Sequence, residues 1–407
     1  DYTYDANGNI TQVIDSSNTD GSKTVNYVYD DLNRMTSATA TSVAAGQSTY
    51  TQTYAYSSIG NISSGPVGTY VYNGSSGSNW ANPHAATSIN SVTNTYDKDG
   101  NNLTDGTLTN TWNYKDQMTG TTDGVFSRTY LYDHAGSRVS SSDGVTTTVY
   151  PNKFYTYDGT TKTKDIYMGN TLVATVTKAG STVTPYYIHT DTVLGSNVIS
   201  DATGAQNQLL DYFPFGGVRI NQQASGFEEQ KQFGGHIFDS DSGLNYLGAR
   251  YLKTVVGRFT SQDPAFLVLG DFGLMKSITG MTMADILRDP QALNSYSYAG
   301  NNPINKIDPD GQWYNQVFNP NSLTDFQLRV GADTQYLTDH SSLWGTAIDH
   351  PVVAGATVGV LSGTAVVAGI AAVGGTVTEG ATSFLLRGNL GAGLNMSVQS
   401  LTDAASG

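Results

Sequence analysis

Tyr2-Thr3-Tyr4-Asp5-Ala6-Asn7-Gly8-Asn9-Ile10 sets a pattern that returns along the chain. It recurs as Tyr27-Val28-Tyr29-Asp30 with Asn33-Arg34-Met35, and as Tyr130-Leu131-Tyr132-Asp133 with Gly136-Ser137-Arg138-Val139. Aromatic residues at i and i+2 place two rings on one face of a strand, because strand side chains alternate. The Asp that follows can hydrogen-bond the backbone of a turn, and Gly or Asn supplies the positive φ that the turn needs. The next apolar residue, Val139 in the third copy, returns the chain to the sheet. Looser copies bring the second aromatic to positions 4, 29, 56, 72, 96, 114, 132 and 157, in steps of 16 to 27 residues. That step suits one β-hairpin per unit. The repeat therefore predicts an all-β chain of hairpins stacked into a continuous sheet. Each aromatic cross-strand pair on its Tyr ladder should add roughly 0.2–1 kcal/mol.

Composition agrees with strands and narrows the chemistry. The 407 residues include 45 Gly, 26 Tyr and no Cys, and only 13% are charged, against about 25% in ordinary soluble domains. Helical bundles need more charge than this. A formal charge of −14 argues against a nucleic-acid partner, which requires a basic stripe. The absence of Cys excludes disulfides, thiolate metal sites and a Cys nucleophile. The six His are scattered without metal-ligand spacing. His189 and His236 are expected to be ordinary hydrogen-bonded residues. In Asp97-Lys98-Asp99-Gly100-Asn101 the Gly comes two positions too early for a calcium loop, so a turn is expected there. No metal and no cofactor is expected.

From Tyr186 to Gly311 the repetition stops and an ordered series of landmarks begins. They include Tyr186-Tyr187-Ile188-His189, Asp211-Tyr212-Phe213-Pro214-Phe215-Gly216, Phe233-Gly234-Gly235, Ala249-Arg250-Tyr251, Gly257-Arg258-Phe259, Gly300-Asn301-Asn302-Pro303 and Asp308-Pro309-Asp310-Gly311. The hairpin units resemble the YD repeats of the RHS (rearrangement hot spot) family, also found in teneurins and insecticidal toxin complexes. The second segment resembles that family's repeat-associated core. The resemblance implies a hollow β-shell, a YD-shell, closed by the core segment. The expected division is a shell segment over 1–184, a core over 185–312, and a variable tail over 313–407. Within the core, Thr282 to Asp289 reads as a short capped helix stopped by Pro290.

Two Asp-Pro steps, Asp263-Pro264 and Asp308-Pro309, follow Arg250. Two carboxylates held close share one proton, because both cannot ionise together. One can then activate water while the other protonates a carbonyl, and an Arg can stabilise the oxyanion. The family resemblance implies that Arg250, Asp263 and Asp308 form a single-turnover aspartic autoprotease that cuts between Gln312 and Trp313. Two positions depart from the family pattern: Gln312 stands where Leu is common, and Ala265-Phe266 where Ile-Gly is. The other reading is that both Asp cap turns before Pro while Arg250 pairs with one of them.

Residues 351–378 form a stretch of 28 without Asp, Glu, Lys or Arg, longer than the ~20 that cross a bilayer as a helix. Gly355, Gly359 and Gly363 add G-x-x-x-G spacings. Two readings stand: a helical, membrane-active tail, or an apolar segment held inside the shell. The chain is expected to be a C-terminal fragment of a longer, secreted or cell-surface protein. Its expected function is an RHS-type container carrying its own C-terminal segment as cargo, with a secretion apparatus or target-cell surface as partner. The alternative is a teneurin-like adhesion protein that uses the shell as a rigid spacer.

Overall fold

The computed structural model describes residues 1–16, 23–43, 47–73, 82–224, 226–268, 270–279, 281–289 and 291–316, with two short strands, Val358–Leu361 and Thr364–Val367. Strands lie in chain order within each sheet, and every pairing is antiparallel. Residues 2–53 give five strands, 55–93 five more, 95–223 fourteen, and 237–259 four. The one continuous sheet expected from the repeat is therefore interrupted. At Tyr54 a single run of chain passes from the first sheet into the second, and its amide still bonds Thr36 O at 2.9 Å. The long sheet runs uninterrupted across 184/185, inside the strand Thr182–Thr190.

The repeat chemistry is visible at the turns after Tyr4, Tyr29 and Tyr96. Asp5 Oδ1 accepts from the amides of Asn7 and Asn9, Asp30 Oδ1 from Leu32 and Arg34, and Asp97 Oδ1 from Asp99 and Asn101. Asp97 is thus a turn residue, as expected. Gly8 (φ 83°), Gly60 (φ 81°) and Asn33 (φ 58°) occupy the left-handed position. Pairing across each turn joins the second aromatic to the residue six places on: Tyr4 to Ile10, Tyr29 to Met35, Tyr56 to Ile62, Trp112 to Met118 and Tyr132 to Arg138. Two assignments change as a result. Trp112, not the 91% exposed Tyr114, fills the aromatic slot of its unit, because Asn113 takes the Asp role and accepts from Lys115 N and Gln117 N. Arg138, not Val139, is the residue that returns its chain to the core.

Why the second aromatic is so often Tyr rather than Phe is also clear. Its hydroxyl donates to the carbonyl of the returning residue in the preceding unit: Tyr29 to Ile10, Tyr56 to Met35, Tyr72 to Ile62 and Tyr132 to Met118. Trp112 Nε1 makes the equivalent bond to Asn102 O. These bonds span 2.5–2.9 Å, and each should add about 0.5–1.5 kcal/mol. The ring supplies burial and the hydroxyl fixes the register of one unit on the last.

The segment 227–311 crosses these turns and ties them together. Asn302 Nδ2 donates to Asn9 Oδ1, Asn294 Nδ2 and Asn301 Nδ2 to Gly60 O, and Tyr296 OH to Gly100 O. Arg138, whose side chain is fully buried, makes two bonds to Asp239 (2.6 and 3.2 Å). The Tyr130, Tyr150, Tyr246 and Tyr251 rings surround its guanidinium at 4.7–5.9 Å. A charge thus stands in a slot that other units fill with Ile, Met or Asn, compensated by one carboxylate and four ring faces.

Among the described residues, two α-helices interrupt the β structure: α1, Phe272–Thr279, and α2, Met283–Arg288. Thr282 caps α2 in a reciprocal capping box with Asp285, as the sequence predicts; α1 was not foreseen. In the 351–378 stretch the two described strands pair with each other as a hairpin, so those residues are not helical. The rest of that stretch lies outside the described residues. No helix among the described residues is long and apolar enough to cross a membrane.

Candidate cleavage site

Two tight turns meet backbone to backbone. Leu247 N bonds Arg250 O, and Ala249 N bonds Asp310 O at 2.8 Å. Gly311 (φ 76°) lies against the first turn, where a Cβ would come within 2.8 Å of Leu247 O and 2.9 Å of Arg250 N. Only glycine permits that approach. The contact brings the residues before Gln312 onto Arg250.

Arg250 is buried and its donors are shared out. Nη2 lies 2.8 Å from Asp263 Oδ2 and 2.9 Å from Asp308 Oδ2. Nη1 donates to Ser295 O at 3.1 Å and Nε to Gly311 O. The guanidinium stacks on Phe259, 3.5 Å from the ring centroid. Each Asp divides its oxygens: Oδ1 caps its own turn, accepting from Ala265 N (2.9 Å) or Gly311 N (2.8 Å), and Oδ2 faces the Arg. The turn-cap reading and the dyad reading thus share one geometry. Arg250 pairs with both carboxylates, not with one.

The charge balance is unequal: two carboxylates, one guanidinium, little water. Burial is the largest influence on both acids and outweighs Arg250. Asp263 is pushed up to about 7, with Asp308 adding to the rise, and Asp308 to about 6. The pair therefore holds a proton near neutral pH.

Beside them is a cavity of about 10 Å³ whose walls include Arg250, Asp263, Asp308, Asn294 and Trp313. That is about the space one water fills, and the site is polar enough to hold it. Trp313 is buried in a cluster with Ala265, Met275, Ile286 and Ala292, and its ring stacks on Tyr314 with planes 8° apart. Met275 belongs to α1 and Ile286 to α2, so the segment between the two landmark regions builds the seat for Trp313. Read from sequence alone, that segment had only a packing role. Trp313, two residues after Gly311, was the available signal that something must bury it. The two motif His differ: His189 is exposed, with Ser200 Oγ 3.3 Å from its ring, whereas His236 is drawn down to about 4 by burial. The His236 ring hydrogen-bonds the Asp308 backbone, which offsets part of that fall, while its Nε2 has no hydrogen-bond partner in the structure.

The model of the Teneurin YD-shell family matches residues 1–304. The chain belongs to that family. Among curated proteins, it is 28% identical over 248 residues to the tRNA nuclease WapA of Bacillus subtilis, a match covering 57% of this chain and 10% of that protein. It is 32% identical over 127 residues to Salivary gland surface protein 1 of Aedes aegypti, covering 28% of this chain and 3% of the other. The chain thus spans about a tenth or less of these relatives. Among solved structures, the TcdB2-TccC3-Cdc42 crystal structure superposes with a TM-score of 0.57 at 19% identity, over 76% of this chain and 17% of that one. A Photorhabdus luminescens Tc holotoxin pore structure matches with the same TM-score and identity, over 76% of this chain and 16% of that one. The YD-shell fold is therefore common to this chain and toxin-complex components.

Proposed function

We propose that the chain is an RHS-type shell that carries its own C-terminal segment, residues 313 onward, and severs it by a single aspartic cleavage between Gln312 and Trp313. The observation that carries the proposal is the convergence of Asp263 and Asp308 on one nitrogen of Arg250, beside a one-water cavity walled by Trp313. The ionised Asp takes a proton from the water, whose oxygen bonds to the Gln312 carbonyl carbon. The protonated Asp gives its proton to the carbonyl oxygen. Collapse of the diol breaks the C–N bond, and the proton passes to the Trp313 amine, so one water is consumed. Arg250 keeps one Asp ionised and holds the Gly311 carbonyl in place. Because the bond is tethered, orientation supplies up to ~7–11 kcal/mol of the barrier in ideal cases.

Carriage of a toxic segment is supported by two relatives' own descriptions: WapA is named as a tRNA nuclease, and one TccC3 structure is described as lacking a hypervariable C-terminal region. A secreted or cell-surface location follows the same reading, as does delivery by a secretion apparatus to a target cell. The similarity to a salivary gland surface protein favours the second reading, an adhesion or recognition spacer needing no cut. Limited proteolysis separates the two. Carriage predicts that residues 313–407 resist a protease that trims the exposed turns in native buffer. A tail digested as fast as those turns overturns it.

A further inference from the structure

A second buried cluster of ionisable groups shares no residue with the Arg250 site. Asp165 on the strand Thr161–Met168 stands directly opposite Thr175 on the strand Thr171–Ala179. Glu229 and Lys231, on the segment that crosses this sheet, pack against both. Lys231 Nζ forms an ion pair with Asp165 Oδ2. The Thr175 hydroxyl lies 2.7 Å from Glu229 Oε2 and 3.3 Å from Asp165 Oδ1, linking the two carboxyls. Glu229 Oε1 also accepts from Lys231 N at 2.8 Å. Asp165, Thr175, Glu229 and Lys231 are all at least nine-tenths buried.

Two other lysine–carboxylate pairs are built differently. Asp211, the partner of Lys23, receives a second cation from Arg219. Asp105, the partner of Lys253, spends its other oxygen capping a turn through the amides of Thr107 and Leu108. Around Lys231 the excess is of carboxyl groups: two acids, one ammonium and no further cation in the ion-pair network. Burial, reinforced by Asp165, pushes Glu229 up to about 7, so it can hold a proton while the pair beside it is charged. An amine, a carboxyl and a protonated acid held together without bulk water are the components of an amide condensation. Burying both charges is costly, and forming the amide removes both.

We propose that Lys231 and Asp165 are joined by an intramolecular isopeptide bond, formed with Glu229 as the proton shuttle. Lys231 gives a proton to Asp165, and its free Nζ bonds to Cγ of the resulting carboxylic acid. Glu229 donates a proton to the departing Cγ hydroxyl, which leaves as water, and recovers one from the nitrogen. An ammonium and a carboxylate thus become an amide and one water, with no oxidant or co-reactant. The bond staples the core segment to the long sheet across 66 positions of sequence, in a chain that has no Cys for disulfides.

The test is mass spectrometry of the denatured chain. Both residues precede Gln312, so the result reads equally on an uncut chain or on its N-terminal piece, and it does not depend on the cleavage proposal. The expected result is a mass lower than the sequence mass by one water, with a branched peptide joining the stretches around Asp165 and Lys231 after digestion. Full sequence mass with two unbranched peptides overturns the proposal. Lys231→Arg keeps the charge but should restore the full mass; a deficit persisting there places the lost water elsewhere and overturns it too. Glu229→Gln should leave most chains unjoined, and complete joining in that variant removes Glu229 from the reaction.

Discussion

Two buried arginines in this fold do opposite things with similar parts. Arg138 meets one carboxylate, Asp239, through two bonds within a box of tyrosines. Arg250 meets two, Asp263 and Asp308, on a single nitrogen. In the first, charge is balanced and the rings exclude water, so the pair is inert and holds the repeat sheet to the core segment. In the second, one carboxylate is in surplus, a proton must be kept, and a one-water cavity adjoins it. The lesson is stoichiometric. Arg138 is matched by one Asp, whereas Arg250 is outnumbered by two, and the proposed chemistry rests on that difference.

The comparison breaks most clearly at Asp239. Asp239→Ala leaves Arg138 charged and unpaired, which should lower unfolding free energy by about 3–5 kcal/mol, read by chemical denaturation. Asp263→Asn removes one acid from a site with a surplus, so it should cost far less stability yet stop the cut. A stability loss as large as that of Asp239→Ala would place Arg250 in the clamp class.

pH separates the clusters further. The folded-state values of Asp263 (about 7) and Asp308 (about 6) lie above the usual 3.8, so the native state binds protons that the unfolded chain has released. This contribution to stability is full at low pH. It falls as pH rises from near 4 through 7, then stays flat. Asp263→Asn should reduce that slope. The cutting rate needs one acid protonated and one ionised, so it should peak between about 6 and 7.

Smaller effects sharpen the picture. Tyr132→Phe removes the bond to Met118 O and the contact with Tyr251 OH, a loss of about 1 kcal/mol in a denaturant titration. Thr282→Ala removes the exposed cap of α2 and should cost about 0.5 kcal/mol, the low end for caps. It should slow the cut only slightly, through the seat of Trp313.

Much of the fold was legible because the unit is local. The aromatic, the turn-capping Asp, the positive-φ Gly and the returning residue sit within seven positions, as in Tyr4 to Ile10, and each acts on its neighbours. The N-cap at Thr282 was legible for the same reason. What lay hidden depends on distance. The hydroxyl bonds of Tyr29 and Tyr132 reach back to an earlier unit, and the pairing of Arg138 with Asp239 joins residues 101 positions apart. The slot occupied by Trp112 was misassigned because two aromatics flank Asn113, and only pairing with Met118 decides between them. At the candidate site, motif resemblance brought Arg250, Asp263 and Asp308 forward. It carried no information on how Ser295, α1 and α2 would enclose them.

The proposed cleavage asks the unequal charge around Arg250 to perform chemistry on the chain itself. Intact mass and N-terminal sequencing of the purified wild-type chain, after long incubation from mildly acidic to neutral pH, test it most directly. The account predicts two pieces that separate only on denaturation, the smaller beginning at Trp313, and one full-length chain for Asp263→Asn and Asp308→Asn. A wild-type chain that stays whole throughout that range would contradict it, and would leave both Asp as turn caps and Arg250 as a second clamp.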